Sequence, residues 1–205
     1  MRVPGRPAVT HLLYLHGFRS SPRSTKARKF AAWVAANRPE TVWWCPQLPA
    51  SPAAAMREVM AGTASWPADR MAVVGSSLGG FYATAVAERR GCRAVLLNPA
   101  VDPARDLADA IGATTAWHSS EPFEFRPEYV AELRAIAPPA TLTDVDRYFA
   151  VIAKGDEVLS WREMSERYAG AQVRLIEGSD HALSDFDEHL PAVLAFLGLG
   201  PERVP

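Results

Sequence analysis

Ser77 in VVGSSLGGFY, Asp156 in YFAVIAKGDEVLSW and His181 in QVRLIEGSDHAL could do chemistry together. A serine hydroxyl is a weak nucleophile until a base takes its proton. Imidazole is the usual base near neutral pH, and a carboxylate can hold its tautomer and stabilise the imidazolium. Gly75-Ser76-Ser77-Leu78-Gly79 fits G-x-S-x-G. That spacing puts the central serine on a strained strand-to-helix turn, with its hydroxyl raised above the sheet edge. Ser77 is therefore the candidate nucleophile, and Ser76 is a small polar neighbour that can contact substrate. The glycines are expected because side chains there would strike the adjoining strand or helix. A phosphate-binding turn uses the same helix N-terminus. Its Gly-Lys-Ser/Thr and G-x-G-x-x-G spacings do not occur at this turn.

The elements around these residues give them a common edge. Apolar runs at 11–16, 42–45, 71–75, 93–98, 148–153 and 172–177 read as strands. Helical patterns fill 26–37, 52–63, about 78–90, 160–169 and 185–197. Alternation of this kind predicts an α/β fold, a three-layer, doubly wound, mostly parallel sheet of about six strands. Ser77, Asp156 and His181 then all follow strand C-termini, where open α/β sheets bind ligands. Glu157 and Asp180 are rival acids. Asp156 ranks first because it turns directly off its strand after Gly155. His11, His16, His118 and His189 are each less well placed than His181 to act as the base.

An acyl transfer needs donors for the developing oxyanion. The amide of Leu78, directly after the serine, is one candidate. The amide of Phe18, in the loop LHGFRSSPRSTKARKF after the first strand, is the other, with His16 bonding within that loop to set its shape. Arg19, Arg23, Lys26, Arg28 and Lys29 make the following helix basic. They read as a solvated face or as a contact for an anionic leaving group such as the phosphates of coenzyme A. Residues 102–145 break the strand–helix rhythm and read as a helical excursion over the sheet edge. Trp117, His118, Phe123, Phe125 and Tyr129 lie there, either packing it down or, as with Trp117, lining a substrate pocket. Gly198–Pro205 reads as a frayed tail.

The bulk properties narrow the function classes. The chain has 205 residues, 48% apolar and 22% charged, the balance of one globular domain with a sizeable core. A net charge of −1 offers no global field for nucleic acid or a membrane surface. Cys45 and Cys92 have no metal-ligand spacing and read as reduced. No signal-peptide h-region and no membrane-length apolar run occur, so a cytoplasmic location is expected.

YLHGFRSSPRSTKA, CPQLP, VVGSSLGGFYATAVA, LNPAV, KGDEVLSWR and GSDHALSDFDEHLPAVLAFL, in that order, resemble the YqiA-type esterases of the α/β-hydrolase superfamily. The resemblance covers nearly the whole chain. It implies a parallel sheet lacking the first two strands of larger relatives, and hydrolysis of small-molecule carboxylic esters or thioesters without metal or organic cofactor. By motif it makes Ser77 the nucleophile, Asp156 the acid, His181 the base, and Phe18 and Leu78 the oxyanion donors. Short to medium acyl chains are expected. An acyl-CoA thioesterase using the basic helix is the alternative, and a non-catalytic binding module on the same fold is the alternative of another class.

Overall fold

The computed structural model describes residues 7–115 and 122–200. Strand β1 (His11–Leu15) leads through α1 (Thr25–Asn37) to β2 (Val42–Trp44), then through α2 (Pro52–Gly62) to β3 (Met71–Ser76). Helix α3 (Leu78–Arg90) and β4 (Arg93–Leu97) follow. An excursion holds α4 (Pro103–Asp106), β5 (Gly112–Thr115), β6 (Pro122–Phe125) and α5 (Pro127–Ile136). The chain then returns as β7 (Tyr148–Ala153), α6 (Trp161–Arg167), β8 (Gln172–Ile176) and α7 (Phe186–Leu197).

The main sheet has six strands in the order β2-β1-β3-β4-β7-β8, and every neighbouring pair is parallel. All residues of β3, β4 and β7 are buried, as the continuously apolar runs AVV, AVLL and FAVI within them require in the middle of a covered sheet. Strand alternation splits the core in two. Tyr14, Val74, Val95 and Val151 face α1 and α7, where Phe30, Val34, Phe186 and Leu197 are buried. Leu13, Val73, Leu96 and Ile152 share the opposite cluster with Met56 and Val59 of α2, Phe81 of α3 and Tyr168 just after α6. Each such large side chain contributes about 1.5–3 kcal/mol by burial.

Connection handedness explains these faces. The chain steps from β1 outward to β2 and then reverses across β1 to β3. With right-handed crossovers, opposite steps put their helices on opposite faces, α1 on one and α2 and α3 on the other. The reversal leaves a crevice between the C-terminal ends of β1 and β3, the usual ligand site of such sheets.

The excursion is not wholly helical. β5 and β6 form an antiparallel hairpin, with Gly112 opposite Phe125 and Thr115 opposite Pro122. Their four-residue strands, GATT and PFEF, pair only with each other and lack the long apolar run of a buried strand. Phe123-Glu124-Phe125 is the one alternating signal, too short to stand out. Glu132 of α5 anchors the excursion. Its Oε2 accepts from Ser51 Oγ at 2.7 Å and from the Ala53 amide at 2.9 Å, capping α2. The tail is also shorter than expected: Leu199 is buried and its amide bonds Leu194 O at 2.8 Å, so packing continues past α7. Residues 201–205 of that tail lie outside the described residues.

Candidate active site

Ser77 joins β3 to α3 with φ 56° and ψ −123°, a conformation costly for any residue with a Cβ. The backbone is clamped there. Ser77 N–H donates to Leu97 O at 3.0 Å, and Ser77 O accepts from Gly80 at 2.8 Å and Ala100 at 3.0 Å. A Cβ on Gly75 would overlap the Gly79 carbonyl, and one on Gly79 would overlap the Leu15 carbonyl at the end of β1. Both glycines are thus required by close approach of backbone to backbone. Ser76, the last residue of β3, is buried.

Two loops meet the serine from the far strands. His181 Nε2 lies 3.0 Å from Ser77 Oγ, and His181 Nδ1 lies 2.8 Å from Asp156 Oδ2. The Asp156 side chain has 0% exposure, and its Oδ1 accepts the Val158 and Leu159 amides at 2.8 Å each. Nδ1–H donating to Asp156 Oδ2 is the arrangement that leaves Nε2 of a neutral ring to accept from the serine hydroxyl. The rival acids are engaged elsewhere. Glu157 accepts the His181 backbone amide at 3.0 Å, and Asp180 accepts from Ser184 Oγ at 2.6 Å and Ser184 N at 2.9 Å. The Ser184 bonds hold the Asp180 carboxyl below its ordinary range.

The β1 loop closes the other side. His16 is buried, with Nδ1 3.0 Å from Gly17 O and Nε2 accepting the Leu48 amide at 3.1 Å. Only a neutral ring makes both bonds, and burial lowers the His16 pKa accordingly. The ring ties the loop to residues 47–48 and brings Gly17 against Ser77. Leu78 opens α3, so its amide has no intrahelical acceptor. Among the described residues neither the Phe18 nor the Leu78 amide donates a hydrogen bond. A pocket beside them is walled by Phe18, Leu48, Leu78, Tyr82 and Phe123. Phe18 meets Phe123 and Phe125 edge-on at centroid distances of 5.1 and 5.3 Å. Phe125 therefore packs the excursion down, while Phe123 also faces the pocket.

Trp117 and His118 lie outside the described residues. On the basic helix, Lys29 pairs with Asp187 at 2.6 Å, and Lys26 Nζ donates to Ala182 O. Burial pushes the Lys26 ammonium down to about 8, opposed by Asp180 and Asp156. Lys26 thus reaches the His181 loop, and Lys29 the first turn of α7. Sequence reasoning passed over Asn98, which is fully buried where β4 ends. Its signal was a polar residue closing the apolar run AVLL ahead of a proline.

The sheet, its crevice and the serine elbow define the α/β-hydrolase fold class. Within it, the chain belongs to the uncharacterised protein family UPF0227, the YqiA-like group, whose family model matches residues 11–198. Solved structures share the fold. A candidate hydrolase of Agrobacterium vitis S4 aligns with TM-score 0.72 and 18% identity, covering 93% of this chain and 91% of its own. Mouse alpha/beta hydrolase domain-containing protein 10 aligns with TM-score 0.66 and 16% identity over 90% and 87% of the two chains. Est1E of Butyrivibrio proteoclasticus, solved with ferulic acid bound, aligns with TM-score 0.64 and 16% identity over 95% and 89%.

Proposed function

We propose that the protein is a serine hydrolase that cleaves carboxylic esters of short to medium acyl chains. Ser77 Oγ attacks the acyl carbon while His181 Nε2 takes its proton. Asp156 holds Nδ1–H and stabilises the imidazolium that forms. The Phe18 and Leu78 amides receive the oxyanion. His181 then protonates the departing alkoxide. Water, activated by the same ring, hydrolyses the acyl-enzyme and frees Ser77. An ester suits this machinery better than an amide because its alkoxide leaves more readily.

The observation that carries the reading is the unbroken hydrogen-bond chain Asp156–His181–Ser77, at 2.8 and 3.0 Å, ending on a serine held at φ 56°. The wall beside Phe18 and Leu78 joins apolar Leu48, Tyr82 and Phe123 to polar Arg19, Ser20 and Gln47, and its apolar part suits an acyl group. Lys26 and Lys29 already have partners on the protein, which weakens their part in the coenzyme A alternative, whereas Arg19 lines the pocket. Treatment with a fluorophosphonate probe tests the mechanism. Covalent labelling mapped to Ser77, and lost in His181→Ala, is expected. A folded protein that takes up no label, or takes it elsewhere, contradicts it.

A further inference from the structure

Asn98 does no chemistry of its own, yet its side chain bridges the loops that carry the site. It follows β4 with φ 43° and has 0% exposure. Its Oδ1 accepts the Ala153 amide at 2.8 Å, at the end of β7 and three residues before Asp156 in sequence. Its Nδ2 donates to Asp180 O at 2.9 Å and to His181 O at 3.2 Å. Only one orientation of the amide satisfies an N–H on one side and two carbonyls on the other, so the assignment is unambiguous. The backbone on either side of Asn98 grips the nucleophile, since Leu97 O accepts from Ser77 N–H and Ala100 N–H donates to Ser77 O.

The segment 97–100 therefore contacts the serine turn through its backbone and the histidine loop through one side chain. The far side of the histidine loop is tied separately. Asp185 accepts from Ser179 Oγ and lies 3.1 Å from His189 Nε2. Glu157 accepts the His181 amide and Lys26 donates to Ala182 O, while Asn98 is the side chain bound to the Asp180 and His181 carbonyls. We infer that Asn98 is a positioning residue for the reaction: its amide sets the height of the His181 loop so that Nε2 meets Ser77 Oγ. This inference rests on the hydrolase reading of the site.

The test is hydrolysis of p-nitrophenyl acetate by Asn98→Asp and Asn98→Gly, each also combined with His181→Ala, with folding followed by circular dichroism. Both replacements tolerate positive φ. Asn98→Asp keeps an acceptor for Ala153 N–H but loses the donor to both carbonyls. Asn98→Gly removes the bridge without adding charge, and carries the test if a buried carboxylate prevents folding. The expected result is a kcat lowered roughly 10- to 100-fold with KM within about twofold, the signature of a misplaced base. In the His181→Ala background the same substitutions are expected to cost nothing further, because their effect runs through that ring. A folded variant with wild-type kcat overturns the inference. So does an additional tenfold loss in the His181→Ala background, which marks a general structural role. Wild type and Ser77→Ala are measured alongside. Activity that survives Ser77→Ala overturns the hydrolase reading itself, whereas Ser77-dependent activity untouched by folded Asn98 variants overturns the positioning role alone.

Discussion

At the residue scale, Ser77 holds a conformation that opposes its own side chain. Positive φ with ψ −123° stores strain on the order of 1–3 kcal/mol in a residue with a Cβ. Glycine relieves that strain, although its unfolded-state entropy takes back part of the gain. Ser77→Gly is therefore expected to be more stable than Ser77→Ala by about 1 kcal/mol, read by urea unfolding, while neither hydrolyses esters. Equal stabilities would mean the turn is unstrained. Asp156 makes a second residue-scale prediction. Asn in its place preserves shape but can present an N–H to Nδ1 and stabilise the wrong tautomer. A fall in kcat on the order of 10⁴-fold with little change in KM is expected for Asp156→Asn. Retention of a tenth of the activity would show that the ring does not depend on that carboxylate.

At the element scale, α5 and the β5–β6 hairpin hold Phe123 over the pocket. Glu132 anchors α5 by capping α2 through Ser51 and Ala53. Glu132→Ala leaves those donors unpaired in a half-buried place, and a loss of about 1–2 kcal/mol in urea unfolding is expected. Phe123→Ala removes one wall of the pocket. The ratio of kcat/KM for p-nitrophenyl octanoate over p-nitrophenyl butyrate is expected to rise roughly tenfold, as a pocket gains room for added methylenes. An unchanged ratio would put the acyl chain somewhere else.

The elements that carry local pattern were legible in the sequence. Strands β3, β4 and β7 declared themselves by continuous apolar runs, and Asp156 and His181 by falling just past strand ends. What escaped was long-range. The hairpin is two short strands with only each other for partners. The Glu132 cap joins residues about 80 apart, and the Asn98 bridge to His181 spans 83. No window along the chain contains both ends of either contact. Ser77 was legible because its demands are local, with Gly75 and Gly79 adjoining the turn they serve.

At the scale of the whole molecule, buried titratable groups bracket the pH of greatest stability. Burial lowers the His16 pKa from its ordinary 6.5, so as pH falls the unfolded chain takes up the proton first. The contribution is complete above about 6.5 and is lost as pH falls through the depressed folded value. On the alkaline side burial holds the Cys45 and Cys92 thiols up to about 12 from 9.0, and raises Tyr14, Tyr82, Tyr148 and Tyr168. Their unfolded counterparts ionise first, so stability falls as pH rises past about 9. Lys26, lowered to about 8, acts in the opposite sense but is outnumbered. Thermal midpoints are expected to peak between about pH 6.5 and 9. A midpoint that does not fall between about pH 6.5 and 5 would mean that His16 is not held neutral by its buried bond to Leu48.

Ester hydrolysis through Ser77 is the claim on which the rest depends. Its most direct measurement is the rate of p-nitrophenyl butyrate hydrolysis by wild type and by Ser77→Ala, with circular dichroism confirming that both are folded. The account predicts saturable hydrolysis by wild type and a loss on the order of 10⁴-fold or more in the variant. Hydrolysis that persists in folded Ser77→Ala would contradict it.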